Sequence, residues 1–549
     1  MEAFAGQRIP APSLIRSYRE AGLWGDVPIT RLLSRVVEER GGATAIVDRS
    51  GRLTFEQLQA DATRAAAGLR EHGVVPRDRF VIQLPNWHEA VVLHLALSQL
   101  GAITVNLPVT YRRAELEAIL RITRATGMAL CGDARRRDLP DLVTDMRGSI
   151  PSCHLFVIVG GEKHSGMVTY EELLSGTAND PDEPIELDPT SVTVVSFTSG
   201  TTGDPKGIMH TTGTLGSINA SMTASYGLGE DDVIFMGAPI GHSIGFYHGI
   251  RMSIFLGAKL VFLDEWDARR ARQLIEQEDA TYTTMAVPHL YDLLQEMDGF
   301  SGRLHYILCG GSPVSEKLMR EARARLPHTL TTRLWGMTEG IGTACRPGTS
   351  EDKLFSTDGQ PFPGTELRFL SPDLKDVAVG ETGHLAMRGP HLFSGYFERP
   401  DLNDDLFLPD GFFLTGDLAT QDRDGYVTIV GREKDIIIRG GVNIAPAALE
   451  RVLAEEPSIA QVAVVGSPDP RLGERICAVV VPREGETVEL ADLVARASAA
   501  GLAKQGWPER LVILGELPTT PSGKIQKVRL RKLITDRSVD VNVAEAPGR

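Results

Sequence analysis

The sequence predicts a multidomain α/β protein, on three observations. Helical and extended patterns alternate through most of the chain, the mark of parallel sheet joined by crossover helices. From Glu366 the pattern shifts to short strands with Gly and Pro turns and holds to Gly431, which reads as a compact β subdomain. At 549 residues the chain exceeds what one hydrophobic core supports.

Taken in order, residues 1–50 read as an entry segment with one helix, at 28–40. Thr54 with Gln57 three residues on makes a capping box, and Leu58, Ala62, Ala65, Ala66 and Leu69 recur at helical spacing up to Gly73. Residues 79–84 read as buried strand, 87–100 as helix, 102–107 as strand, 115–126 as helix and 128–131 as strand. A β-branched run at 192–197 is a further strand. The strand at 232–239 ends at the loop Gly241-His242-Ser243-Ile244-Gly245-Phe246. Next come a strand at 258–263, a helix at 268–277 and strands at 282–286 and 305–309, the last followed by Gly310-Gly311-Ser312. Loops beyond the carboxyl ends of such strands are where ligands bind. Gly431-Arg432-Glu433-Lys434-Asp435 reads as a charged linker, and the β-branched run ending at Gly440-Gly441 as the first strand of a small domain. Helix 445–454, strands 459–465 and 475–481 and helix 488–499 complete that domain, and the last dozen residues read as a mobile tail. No fixed-period repeat is visible.

A net charge of −15 leaves no basic excess to release counterions from a nucleic-acid backbone, so no nucleic-acid partner is expected. The five cysteines, Cys131, Cys153, Cys309, Cys345 and Cys477, show no Cys-x-x-Cys pair or metal-ligand spacing. Such a sparse, odd set suits reduced thiols in a cytoplasmic protein. The N-terminus lacks a signal-peptide pattern, and the most apolar helical stretch, 90–97, is too short to span a bilayer.

The strand at 192–197 runs into Thr198-Ser199-Gly200-Thr201-Thr202-Gly203-Asp204-Pro205-Lys206-Gly207. Glycines let successive backbone N–H groups turn toward an anion, hydroxyls add donors, and Lys206 adds positive charge. These are the parts of a phosphate cradle. The residues around Lys206 are Pro205 and Gly207, so the P-loop pattern with its metal-binding hydroxyl is absent. Composition alone fits a flexible surface loop equally well. Trp335-Gly336-Met337-Thr338-Glu339 offers an aromatic face, a hydroxyl donor and a carboxylate suited to a hard cation, although Thr-Glu alone reads as a helix start. In Leu414-Thr415-Gly416-Asp417 the carboxylate can accept two hydroxyl hydrogen bonds, and by itself the string is a common turn. Pro518, Pro521 and Gly523 stiffen a loop that carries Lys524.

These strings, in this order, resemble the signature motifs of the acyl-adenylate-forming enzymes, which include acyl-CoA synthetases, aryl acid adenylating enzymes and beetle luciferases. The resemblance covers most of the chain and is strongest to the acyl-CoA synthetases. It implies two doubly wound αβ subdomains plus the small β subdomain at residues 1–433, a mobile α+β lid at 434–540 and a tail at 541–549. The implied reaction is ATP-dependent formation of an acyl-AMP, then transfer of the acyl group to a thiol. The implied catalytic residues are Lys524, Glu339, Thr198 and His242, with Glu339 as the Mg²⁺ ligand. ATP is expected at Thr198, Ser199, Gly200, Thr201, Thr202, Gly203, Lys206, Gly311, Ser312, Trp335, Gly336, Met337, Thr338, Asp417, Arg432 and Lys524. The acid is expected at His242, Ser243, Phe246, Ala286, Gly310 and Gly336. Lys434 is the expected hinge, and Gly440 and Gly441 the thiol tunnel.

Within the acyl stretches no Lys, Arg or Asp faces a second substrate charge, which disfavours amino acids and dicarboxylates. A medium-chain, alicyclic or simple aromatic acid is expected. Ser243 stands where relatives that take 2-hydroxylated benzoates commonly have Asn. Coenzyme A is the expected thiol. A separate carrier protein's phosphopantetheine is the alternative, and the oligomeric state, monomer or homodimer, stays open.

Overall fold

The computed structural model describes residues 3–133, 138–175, 184–199, 205–440, 442–519, 525–536 and 541–542. Strands β1 (Thr44–Asp48) and β2 (Gly51–Thr54) come first. Then follow β3 (Arg79–Gln83), β4 (Ile103–Asn106), β5 (Gly127–Cys131), β6 (Leu155–Val159), β7 (Val168–Thr169), β8 (Val192–Ser199) and β9 (Pro205–Thr211). These seven form one sheet in the order β7-β6-β5-β3-β4-β8-β9, parallel except for the β8–β9 hairpin at its edge. β10 (Val233–Met236), β11 (Lys259–Phe262), β12 (Tyr282–Ala286), β13 (Tyr306–Gly310), β14 (Leu330–Met337), β15 (Gly340–Ala344) and β16 (Gln360–Pro361) join β1 and β2 in a nine-stranded sheet. Its order is β16-β15-β14-β13-β12-β10-β11-β1-β2.

Side chains alternate across each strand, so each sheet has two apolar faces that need cover. On β3, Phe80 and Ile82 face the space between the sheets while Val81 faces outward. Helices Phe55–Glu71, His88–Gln99 and Thr212–Tyr226 fill that middle space, packing Leu58, Leu93 and Ile218 against Ile82 of one sheet and Ile234 and Leu260 of the other. Helix His88–Gln99 is covered by both sheets, and its residues 89–97 are all buried. Helices Arg113–Thr123 and Asp138–Met146 cover the first sheet's outer face. Helices Ala268–Gln277, Val287–Gln295 and Glu316–Arg325 cover the second's. The result is five layers, α-β-α-β-α.

Beyond them β17 (Glu366–Leu370), β18 (Gly383–Arg388), β19 (Phe413–Gln421) and β20 (Val427–Arg432) form an antiparallel sheet in sequence order. The last sheet contains β21 (Ile437–Arg439), β22 (Val442–Ile444), β23 (Ile459–Asp469), β24 (Gly473–Pro482), β25 (Arg510–Ile513) and β26 (Val541–Asn542). Along β24, Ile476, Ala478 and Val480 meet helices Pro446–Ala454 and Leu490–Ala499. Cys477 and Val479, between them, meet helix Lys527–Thr535 on the other face.

The Thr54–Gln57 capping box is present as expected. Three expectations need correction. The entry segment holds two helices, Pro12–Glu20 and Ile29–Arg40, and then the β1–β2 pair. A strand as short as β1, whose parallel partner β11 lies some two hundred residues away, leaves no local signal. The loop read after β10 becomes a π-helix, Ile244–Arg251. Two tail residues, Val541–Asn542, pair antiparallel with β25. Among the described residues no helix is long and apolar enough to cross a membrane.

Candidate active site

Several of the sequence-predicted residues lie at the carboxyl ends of the parallel strands. On the nine-stranded sheet, Ala286 of β12, Gly310 of β13 and Leu334 of β14 are register neighbours, so the chain turns there beside Trp335. Gly310 is tightly constrained, because a Cβ would stand 2.4 Å from the Leu334 carbonyl oxygen. The segment after β10 is fixed by Asn86. Its Nδ2 donates to the carbonyls of Ala238 (3.1 Å) and Leu263 (2.9 Å), and its Oδ1 accepts from the Ile240 amide at 2.9 Å.

On the seven-stranded sheet, Thr198 and Lys206 face each other across the β8–β9 hairpin, followed by Ser199 and Pro205. Residues 200–204, which include Gly200, Thr201, Thr202 and Gly203, lie outside the described residues, as do Gly441 and Lys524. Segment 394–397 lies along β9, where the Phe397 amide donates to Gly207 O (2.7 Å) and the Ser394 amide to Met209 O (2.8 Å). This places Tyr396 beneath Lys206, whose Nζ is 5.4 Å from the ring centroid. The Tyr396 hydroxyl donates to Glu339 Oε1 at 2.7 Å. Burial, and then the Glu339 charge, hold that hydroxyl far above its ordinary pKa, so it stays a donor.

Thr338 and Glu339 form the turn between β14 and β15, so the helix start that a bare Thr-Glu suggests is not what forms. Thr338 is held from below. His210, neutral because burial lowers its pKa to about 4, lies with Nε2 2.8 Å from the Thr338 carbonyl and Nδ1 3.0 Å from Thr214 Oγ1. A carbonyl only accepts, so Nε2 carries the proton. The Tyr247 hydroxyl donates to Ser196 Oγ at 3.2 Å, and the Thr338 hydroxyl reaches Ser243 Oγ at 3.4 Å.

A third cluster sits on the β subdomain. Asp417 of β19 faces Arg432 of β20 in register, and Arg432 Nε lies 3.0 Å from Asp417 Oδ1. The Trp335 indole N–H donates to Asp417 Oδ2 at 2.9 Å. Each carboxylate oxygen keeps a second acceptor direction. The Trp335 ring lies against Gly342, where a Cβ would stand 2.0 Å from Cε3. Met337 ends β14, Gly336 precedes it, and Gly311 turns at φ +85° ahead of Ser312.

His242 lies beside this centre. Its amide donates to the Pro239 carbonyl at 3.1 Å, and its Nε2 is buried without a protein partner. Burial lowers its pKa to about 4, so the ring is neutral at physiological pH. Phe246 is buried on the π-helix behind it. Lys434 is exposed on the one-turn 3₁₀ segment Glu433–Asp435, and its pKa is lowered by desolvation and then by Arg432. Gly440 turns at φ +57° after β21, its amide donating to Leu472 O at 2.7 Å.

Sequence reasoning missed His210, Tyr247 and Tyr396. Each is an aromatic in an apolar context whose partner is far along the chain, so no local pattern marks it.

The arrangement presents donors and a cation on one hairpin, a carboxylate on a turn and a paired carboxylate on a neighbouring sheet. Residues 33–397 match the model of the AMP-binding enzyme family, and residues 448–524 match that of the AMP-binding enzyme C-terminal domain. The chain belongs to the AMP-binding enzyme family. It is 34% identical over 530 residues to the medium-chain fatty-acid–CoA ligase of Escherichia coli K12, across 95% of this chain and 93% of that one. It is 33% identical over 534 residues to the salicyl-AMP ligase / salicyl-S-ArCP synthetase of Mycobacterium tuberculosis, across 95% and 94%. Among solved structures it resembles ATP-bound MatB from Rhodopseudomonas palustris, with a TM-score of 0.84 and 26% identity over 92% of this chain and 99% of that one.

Proposed function

We propose that this protein is an AMP-forming acid–thiol ligase that activates a medium-chain, alicyclic or simple aromatic acid and transfers it to coenzyme A. The observation that carries the reading is the convergence of the β8–β9 hairpin, the Thr338–Glu339 turn and the Trp335–Asp417–Arg432 cluster. Its support from relatives is the 34% identity to a CoA ligase over nearly the full chain.

In the first step an acid carboxylate oxygen attacks the α-phosphorus of ATP and pyrophosphate leaves. Two anions must meet, so donors and cations fixed in advance lower the barrier. The hairpin and Lys206 hold the outer phosphates, Trp335 lies against adenine, and Asp417 accepts from the ribose hydroxyls with Arg432 beside it. Thr338 donates to a phosphate oxygen. Lys524 bridges the carboxylate and the α-phosphate. His242 closes the acyl site. In the second step the thiol sulfur attacks the acyl carbon and AMP leaves. Gly440 and Gly441 leave the arm room to pass.

Glu339 fits a Mg²⁺ ligand. Tyr396 holds one of its oxygens, and the carboxylate with the Thr338 hydroxyl beside it makes a hard oxygen donor set. The ion would neutralise charge on the phosphates. We further propose residues 1–433 as the adenylating unit, 434–540 as the lid and the cytoplasm as its place of action.

ATP–pyrophosphate exchange across a panel of such acids tests the first step, with exchange expected for at least one class. Thioester formation with coenzyme A, set against a phosphopantetheinylated carrier protein, tests the second. The carrier reading has its own support in the salicyl-S-ArCP synthetase relative. Faster loading of the carrier would decide for it.

A further inference from the structure

Arg251 ends the π-helix in the middle layer, between the two large sheets, and is 4% exposed. Burial lowers its pKa to about 10, so it remains charged at neutral pH. A buried charge is expensive unless paired and fully hydrogen-bonded. Among the described residues no carboxylate pairs with Arg251. Among the described residues its side-chain hydrogen bond runs from Nη1 to His94 Nε2 at 3.5 Å, and its Nε has no partner there. His94 is neutral, held by burial well below its ordinary pKa, and its Nδ1 lies 2.8 Å from Thr104 Oγ1. It therefore offers Arg251 an acceptor but no counter-charge. His248, on the same helix and 4% exposed, has an unpartnered Nδ1.

This polar group lies behind Phe246, one of the residues expected to line the acid. The Phe246 ring meets His94 edge-on at 4.8 Å. It also walls a cavity of about 10 Å³ bounded by Ala90, Asn106, Ile240, Gly241 and Ile250. Gly241 adjoins His242, Ala90 is one helical turn before His94, and Ile250 adjoins Arg251. Phe246 thus touches both the cavity and the His94 ring that Arg251 reaches. His242 and Arg251 are nine residues apart, roughly 13 Å at the α-helical rise of 1.5 Å per residue, a span within reach of a medium-length acid.

We propose that Arg251 determines specificity for the acid by binding an oxygen acceptor, charged or neutral, at the far end of its chain. This rests on the ligase reading and narrows its substrate class to acids oxygenated at both ends. An acid long enough to displace the Phe246 ring would bring that oxygen to the guanidinium, with His248 beside it.

The test is pyrophosphate exchange by the full chain with octanoate, octanedioate and ω-hydroxyoctanoate, each compared as kcat/KM. The wild type should prefer an oxygenated acid over octanoate on the order of 10–100-fold, the effect of leaving a buried donor unpaired. Preference for the dioate marks a charged partner, and for the hydroxy acid a neutral one. Arg251→Met should bring the ratio close to one, and Arg251→Lys should keep part of it. A folding defect lowers all rates together and leaves the ratio intact. If Arg251→Met does not fold, wild-type melting decides, because the preferred acid should raise Tm more than octanoate does. Octanoate used as well as the oxygenated acids, with a ratio unmoved by Arg251→Met, overturns the proposal alone. No exchange with any acid overturns the ligase reading and this proposal together.

Discussion

His242 offers the sharpest test of a single side chain. Its Nε2 is buried without a protein partner, close to Ser243 and Thr338. His242→Ala should raise KM for the acid on the order of 10-fold, the scale of one lost polar contact, while KM for ATP changes less. Equal rises for both would mean damage to the fold. Because burial lowers its pKa to about 4, His242 should add no inflection near its ordinary value to the pH profile of exchange. Lys524→Ala should slow adenylation on the order of 100-fold, the usual loss on removing one preorganised donor. Thioester formation from synthetic acyl-AMP should survive, and a mutant with normal exchange would remove Lys524 from the chemistry. Residues such as Glu339 and Asp417 were legible in the sequence because each sits in a short contiguous string with its own chemistry. Tyr396 was not, because its carboxylate partner is 57 positions away, and His210 reaches across 128 to Thr338. Arg251 lay just past the stretch read as the acyl site.

The short segment Glu433–Asp435 joins two sheets, and its ends are tied to different bodies. Glu433 Oε2 lies 3.6 Å from His384 Nδ1 on β18, and Asp435 Oδ1 lies 3.0 Å from Arg531 on the last helix. Lys434 is the residue between these tethers. If the lid turns between the two half-reactions, the dihedral change falls there. Lys434→Pro, with φ locked near −65°, should keep pyrophosphate exchange within a few-fold and lose thioester formation by orders of magnitude. Lys434→Ala should do little to either. A proline variant that makes thioester at the wild-type rate would place the pivot elsewhere. The linker and the strand after it were readable from charge and β-branching. The π-helix was not, since Gly241 and Gly245 made the stretch 241–246 read as a loop. Gly245 is there for space, as a Cβ would stand 2.4 Å from the Pro239 carbonyl oxygen.

Across the whole molecule a set of buried histidines makes stability depend on acid. Burial lowers His210, His242, His248 and His289 to about 4 and His391 to about 3, and it holds His94 well below its ordinary value. Unfolded imidazoles take up protons below about 6.5, while these folded ones do not until far lower. Between those values the unfolded state binds more protons, so stability is full above the unfolded value and is lost as pH falls toward the folded ones. His88, raised through its hydrogen bond to Asp48 against the opposing effect of burial, works the other way, but it stands against six. Thermal melts should show Tm several degrees lower at pH 5 than at pH 7.5, and a flat profile would refute this. The alternation of helix and strand made parallel sheet legible. That two sheets share one helical layer was not, because it depends on which strands neighbour one another.

The pairing of β1 with β11 has a consequence for how the chain is made. Ile46 and Val47 lie beside Leu260 and Val261, yet all seven strands of the other sheet come between them in sequence. On the ribosome, at about 5–20 residues per second, the β1–β2 hairpin waits roughly 10–40 s for its neighbour to emerge. A two-stranded hairpin is at best marginally stable alone, so its apolar face stays exposed through that interval. Early synthesis is therefore when this chain most needs a chaperone, and a fragment ending before β11 would carry an unpartnered strand open to aggregation.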